Sequence, residues 1–222
     1  MKKPEAAFCE AALKRCAGEL RIVRAGSVDE MVAARNRLSG NARLIGFSTS
    51  VVVPGPELKF YGGGAYNFHP GPPEYPGNRP SAFACYDQSK IFGVTFHRMV
   101  ARVDSGEILD CERFPTHGLT TAGALAILAY QRLARLFLNN VVSLATLNAD
   151  LDGNGETWSG RKTTLAHFDA MRRVPGDVDP VELDRRLRAF NWVYTPLPAD
   201  HEAAGLASEH KSLLLKASQG PT

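Results

Sequence analysis

Two short blocks of this chain carry side chains suited to moving an acyl group. Asn67-Phe68-His69-Pro70 holds a carboxamide and an imidazole two residues apart, and Val103-Asp104-Ser105-Gly106 supplies a carboxylate 35 residues after His69. On an extended chain, residues i and i+2 face the same side, so Asn67 and His69 address one space. The amide N–H can hold a developing oxyanion. The imidazole can stabilise that charge and exchange a proton, and the carboxylate can orient and charge the imidazole. Each residue also has a plainer reading: His69 as a turn or core residue beside a proline, Asn67 in a local Asx-type bond, Asp104 as a turn former before Ser-Gly. As catalytic residues the three should converge in one open pocket, with His69 and Asp104 partly exposed in it.

Other polar groups make weaker cases. His97 lies two residues after Thr95 on a predicted strand and reads as packing or hydrogen-bonding within the structure. His117, His167, His201 and His210 have no partners at ligand spacing, so no metal site is expected. The arginines at 172, 173, 185, 186 and 188 interleave with Asp177, Asp179, Glu182 and Asp184, as on a solvated helix face; the functional alternative is contact with a phosphate. Trp158 follows the polar run Asp152-Gly153-Asn154-Gly155-Glu156 and can line the acceptor side of a site, whereas Trp192 reads as core.

The elements that must position these groups follow from periodicity and punctuation. Residues 4–18 are Ala-rich with helical spacing of Phe8, Ala12 and Cys16. Residues 20–23 suit a short strand. Ser27 and Glu30 form a capping box opening a helix that should stop near Gly40. Strands are expected at 43–47, 65–68, 92–100 and 107–114. Gly62-Gly63-Gly64 is a turn; it precedes a strand, whereas a phosphate loop follows one and opens a helix. Residues 70–80 hold five prolines and read as loop. Helices are expected at 81–88, from a cap at Thr120 to about 147, and at 163–171 and 181–190. Strands alternating with helices predict an open, mostly parallel α/β sheet, whose sites lie beyond the strand ends. From residue 204 onward the chain is polar and rich in small residues, which suits a loosely held tail.

At 222 residues and 44% hydrophobic, the chain can bury one substantial core. A net charge of +3 does not by itself imply nucleic-acid binding. No apolar run reaches the roughly 20 residues needed to span a bilayer, and Met1-Lys2-Lys3 leads into Pro4-Glu5 rather than an apolar stretch, so a cytoplasmic protein is expected. Cys9 and Cys16, seven apart, should be two small buried side chains on one helix face; with Cys85 and Cys111 they fit a reducing compartment.

In order, Tyr66-Asn67-Phe68-His69-Pro70-Gly71, Gly93-Val94-Thr95-Phe96-His97 and Asp104-Ser105-Gly106-Glu107-Ile108 resemble the blocks of the formyltetrahydrofolate-dependent formyltransferases. Arg188-Ala189-Phe190 adds a weaker match, so that the likeness covers about 43–195. The resemblance implies a Rossmann-like sheet with helices on both faces, a catalytic domain over 1–195 with an atypical first 40 residues, and a tail over 196–222. It implies 10-formyltetrahydrofolate as formyl donor and an amine acceptor, with Asn67, His69 and Asp104 catalytic. It also implies a pterin pocket made by backbone at Ser50, Val51, Val52 and Val53 and flanked by Val103. No counterpart of the family's opening strand and Gly-rich loop is read before residue 19, and no tRNA-holding C-terminal domain is expected. Gly71 replaces the usual serine after His-Pro. A small-molecule acceptor therefore fits better than tRNA, and the Asn-Phe-His-Pro-Gly-x-Pro form leans to an amino sugar; a homodimer is compatible. A formyltetrahydrofolate hydrolase and a folate-binding protein without turnover are the alternatives.

Overall fold

The computed structural model describes residues 3–147 and 151–190 of the protein. They belong to one compact unit, Met1–Trp192. Trp192 and the tail from 196 lie outside the described residues. In order, the elements are α1 (Lys3–Cys16), α2 (Val28–Ala34) with a 3-10 turn (Arg35–Arg37), β1 (Leu44–Phe47), α3 (Gly55–Leu58), β2 (Ala65–His69), α4 (Pro80–Tyr86), β3 (Ile91–Arg98), β4 (Ile108–Pro115), α5 (Ala122–Ala145), α6 (Leu165–Arg172) and α7 (Pro180–Phe190). Among them, no helix is long and apolar enough to cross a membrane.

Helix starts follow side-chain capping. Ser27 accepts from Glu30 N, Thr121 from Ala124 N, and Thr164 forms a full capping box with His167. The long helix is thus capped by Thr121, one residue later than expected. The helix after Ser27 ends at Ala34 in a 3-10 turn, well short of Gly40. Residues 20–23 form no strand. Cys9 is buried as expected, but Cys16, at the end of α1, is exposed.

The four strands lie in the order β1-β2-β3-β4. Only β1 and β2 run parallel; β2–β3 and β3–β4 are antiparallel. The sheet is therefore less parallel than expected. The segment between β1 and β2 is long enough for a parallel crossover, whereas the loop after β3 reverses the chain directly into β4.

The alternation of β2 and β3 splits their side chains between two faces. Tyr66, Phe68, Phe92, Val94 and Phe96 join Phe47, Leu133, Leu136 and Phe137 in a core closed by α1 and α5. The Phe68 and Phe96 rings stack at 4.4 Å, and Phe137 meets Phe68 edge-on. Each such fully buried side chain contributes roughly 1.5–3 kcal/mol. Asn67, His69, Thr95 and His97 take the other face. There the cover is loop: Thr95 Oγ1 donates to Gly71 O at 2.7 Å, and Trp158 lies over both histidines. Prolines at 70, 72, 73 and 76 keep the first cover segment from becoming a helix.

Candidate active site

The structure brings Asn67, His69 and Asp104 together. His69 is the last residue of β2, Asn67 sits mid-strand, and Asp104 lies in the β3–β4 loop, beyond rather than at a strand end. Asp104 takes a left-handed backbone, φ +46°, which aspartate tolerates better than most residues. Its Oδ2 lies 3.5 Å from His69 Nδ1 and accepts a 2.7 Å bond from Gly77 N. Gly77, at φ +97°, is the position in the Pro-rich loop where a side chain would collide with Thr163 O. The loop thus gives Asp104 a backbone donor that only glycine can place.

His97 completes the group. It pairs directly with Asn67 across β2 and β3, and its Nε2 lies 3.4 Å from Asp104 Oδ1 and 3.2 Å from Asn67 Nδ2. A register shift between Phe96 and His97 re-aims this end of the strand. Read alone, His97 is one histidine on a strand. Its distance from Asn67 along the chain hides a cross-strand pairing that only register reveals. The Thr95-Phe96-His97 alternation, matching Asn67-Phe68-His69, is a signal that could have found it.

The site is buried, not open. His69 and Asp104 are 4% and 7% exposed. His69 Nε2 donates to Tyr75 O at 3.1 Å, so the Pro-rich loop lies on the ring. Trp158 stands edge-on to His97 at 5.0 Å and to His69 at 5.8 Å, and its Nε1 donates to Gly106 O. The two covering segments are stitched together. Asn78 N donates to Thr163 O, Thr163 N to Pro76 O, and Gly160 N to Pro73 O. Arg113 of β4 pairs with Glu74 on one segment and Glu156 on the other. Gly71 suits this place: a Cβ would sit 2.7 Å from His69 Nε2 and 2.6 Å from Pro80 Cβ, so any side chain would force one of them to shift.

Burial sets the electrostatics. It lowers the pKa of His69 below 6.5, an effect that the Asp104 carboxylate only partly offsets, so the ring is neutral near pH 7. Burial pushes the Asp104 carboxyl up, but the two imidazoles and the Gly77 N–H outweigh it and hold it down to about 2. With Nδ1 of His97 donating to Arg98 O at 2.9 Å, its Nε2 accepts from Asn67. Asn67 Oδ1 is buried without a partner, beside Gly46, Thr49 and Met99.

The expected pterin-binding residues divide. Val51 and Val53 line a cavity of about 620 Å³ whose wall also includes Gly46, Thr49 and Met99, next to Asn67. Ser50 and Val52 alternate with them and are exposed, Val52 at 59%. Val103 is half-buried beside Asp104 and its carbonyl accepts from Lys162 Nζ. Among the described residues, no group of three or more His, Cys, Asp or Glu side chains is placed to hold a metal ion.

No protein-family model and no curated protein matches this chain. Solved structures do. A sugar N-formyltransferase from a Shewanella species superposes with a TM-score of 0.70 at 17% identity, over 85% of this chain and 84% of that one. The fold is that of the sugar N-formyltransferases. A 4-N formyltransferase from Francisella tularensis gives a TM-score of 0.60 at 17% identity, over 83% of this chain and 84% of that one. The N-formyltransferase from Helicobacter canadensis, solved with folinic acid and dTDP-3-aminofucose, gives 0.51 at 20% identity. That match covers 65% of this chain and 53% of the Helicobacter chain. The formyltransferase-like architecture therefore extends across most of the chain.

Proposed function

We propose that the protein transfers a formyl group from 10-formyltetrahydrofolate to an amine of a small molecule, most simply an amino sugar. The observation that carries this reading is the convergence of Asn67, His69, His97 and Asp104 on the non-core face of a sheet with the sugar N-formyltransferase fold. The Helicobacter enzyme's folinic acid and dTDP-3-aminofucose supply the donor and acceptor classes. tRNA and other nucleic acids have no part in the reading.

The chemistry asked of this chain is modest. An amine attacks the formyl carbon, and negative charge grows on the formyl oxygen. Asn67 is the donor for that oxygen, a contribution of about 3 kcal/mol for one such hydrogen bond. One of its two N–H groups is directed to His97 Nε2, which leaves the other for the formyl oxygen. His69 exchanges the proton of the attacking amine, with Asp104 stabilising the charged ring. For this, His69 Nε2 must leave Tyr75 O, so the Pro-rich loop moves as substrates enter. The pterin lies against the backbone of 50–54, at the cavity end formed by Val51, Val53 and Met99.

The burial of His69 favours a second reading, a folate-binding protein without turnover. One experiment separates these. The protein is mixed with 10-formyltetrahydrofolate and a panel of amines, including nucleotide-linked amino sugars, and release of tetrahydrofolate is followed. Release only with an amine identifies a transferase. Release without one identifies a hydrolase, and saturable binding without release a binding protein.

A further inference from the structure

Gly46 stands beside Asn67 in the sheet, because the parallel register of β1 and β2 pairs the two directly. Paired positions point to the same face, so position 46 belongs to the face that carries Asn67, His69 and His97. The backbone of Gly46 is not left-handed, unlike that of Gly64 or Gly77. What this glycine supplies is therefore space. A Cβ there would lie 2.7 Å from Met99 Cε, 2.8 Å from Asn67 Oδ1 and 3.2 Å from Thr49 Cγ2. A carboxamide and two methyl groups close around the place of one absent side chain.

That place is where the cavity meets the catalytic face. Gly46, Thr49 and Met99 line the cavity of about 620 Å³, whereas Asn67 is not among its described lining residues. Met99 follows β3, and its N–H donates to Ala65 O at 2.7 Å, which fixes the backbone. Its side chain is half-buried and unbranched, so it can turn at low cost. Asn67 Oδ1 is buried without a hydrogen-bond partner. The methyl groups facing it cannot satisfy it, and such an acceptor is expensive to keep. A group that spans from the cavity to the Asn67 amide takes the place of the Met99 methyl.

We propose that Met99 is the gate between the donor cavity and Asn67, and that Gly46 sets the width of the passage. The Met99 methyl holds the place over Gly46 that the formyl group takes during transfer. When the side chain swings aside, the formyl oxygen comes within reach of the Asn67 amide. The inference rests on the donor reading of the cavity and adds the residue that admits the formyl group.

The test is equilibrium binding of two ligands that differ by the formyl group, tetrahydrofolate and 10-formyltetrahydrofolate, to the full chain and its variants. Circular dichroism serves as the fold check. Gly46→Ala should weaken 10-formyltetrahydrofolate about tenfold or more and tetrahydrofolate less than about threefold. Met99→Ile, similar in volume but stiff at χ1, should show the same selectivity. Met99→Ala removes the gate and should bind the formylated ligand at least as tightly as wild type. The two Met99 variants remain decisive if Gly46→Ala fails to fold. Equal effects on both folates, unchanged affinities throughout, or weaker binding of the formylated ligand by Met99→Ala would overturn the gate and leave the donor reading standing. Wild-type protein that binds neither folate would overturn the donor reading, and the gate with it.

Discussion

Asp104 Oδ1 lies 3.4 Å from His97 Nε2, on the side of the carboxylate away from His69. One carboxylate therefore stands between two imidazoles, and each imidazole turns its other nitrogen to a main-chain carbonyl, Tyr75 O or Arg98 O. The ring orientations are set by backbone, and for His69 the Asp104 carboxylate partly offsets the burial that disfavours the charged ring.

Replacing that charge is the most direct test of the site. Asp104→Asn keeps the shape and should cut formyl-transfer turnover by about 10²-fold or more. Steady-state kinetics showing a change of only a fewfold would remove Asp104 from the mechanism. His69→Ala is a poorer probe, because the residue is 4% exposed and truncation leaves a buried void beside the Asp104 carboxylate, which keeps only Gly77 N and His97.

Acid should weaken the fold through both groups. Asp104, held down to about 2 from 3.8, contributes stability above its ordinary range and loses it as the pH falls toward 2. Burial lowers the pKa of His69 below 6.5, so the unfolded chain takes up that proton first and stability drops as the pH falls through that value. The two effects share a sign. Asp104's part is about 2 kcal/mol. Urea unfolding between about pH 7 and pH 3 should show a steeper loss for wild type than for Asp104→Asn; parallel curves would contradict the assigned ionisation.

Asn67→Ala should lower kcat by about 10²- to 10³-fold with little change in KM, as for loss of one oxyanion donor. A change confined to KM would make Asn67 a binding residue.

Arg113→Ala should loosen the cover without unfolding the protein. The arginine is 36% exposed in each of its ion pairs, so the loss in stability should stay within about 1 kcal/mol. Hydrogen exchange at Ser159 and Gly160, whose N–H groups reach Pro73 O, should accelerate. Unchanged exchange there would mean that Arg113 is no latch.

Val52→Ala should leave folinic acid binding nearly intact, because that side chain is 59% exposed. Val52→Pro should weaken it much more, by removing an N–H and fixing φ. Equal affinities by calorimetry would place the pterin elsewhere.

Local chemistry was legible in the residues themselves. Asn67 and His69 share a face because strands alternate, the Ser27 cap opens its helix as read, and five prolines make 70–80 a loop, whereas the long helix is capped by Thr121 rather than by Thr120. What the residues left open depends on contacts between distant segments. The antiparallel run of β3 against β2 sets His97 beside Asn67, and no local pattern encodes that register. The burial of His69 arises because Tyr75 and Trp158, six and 89 residues further along the chain, fold over it. The sequence by itself determined which groups are available and which face of a strand they take. Only the tertiary structure decided that one carboxylate serves two imidazoles under a closed cover, because pairing register and loop packing are long-range energies that no short stretch of chain contains.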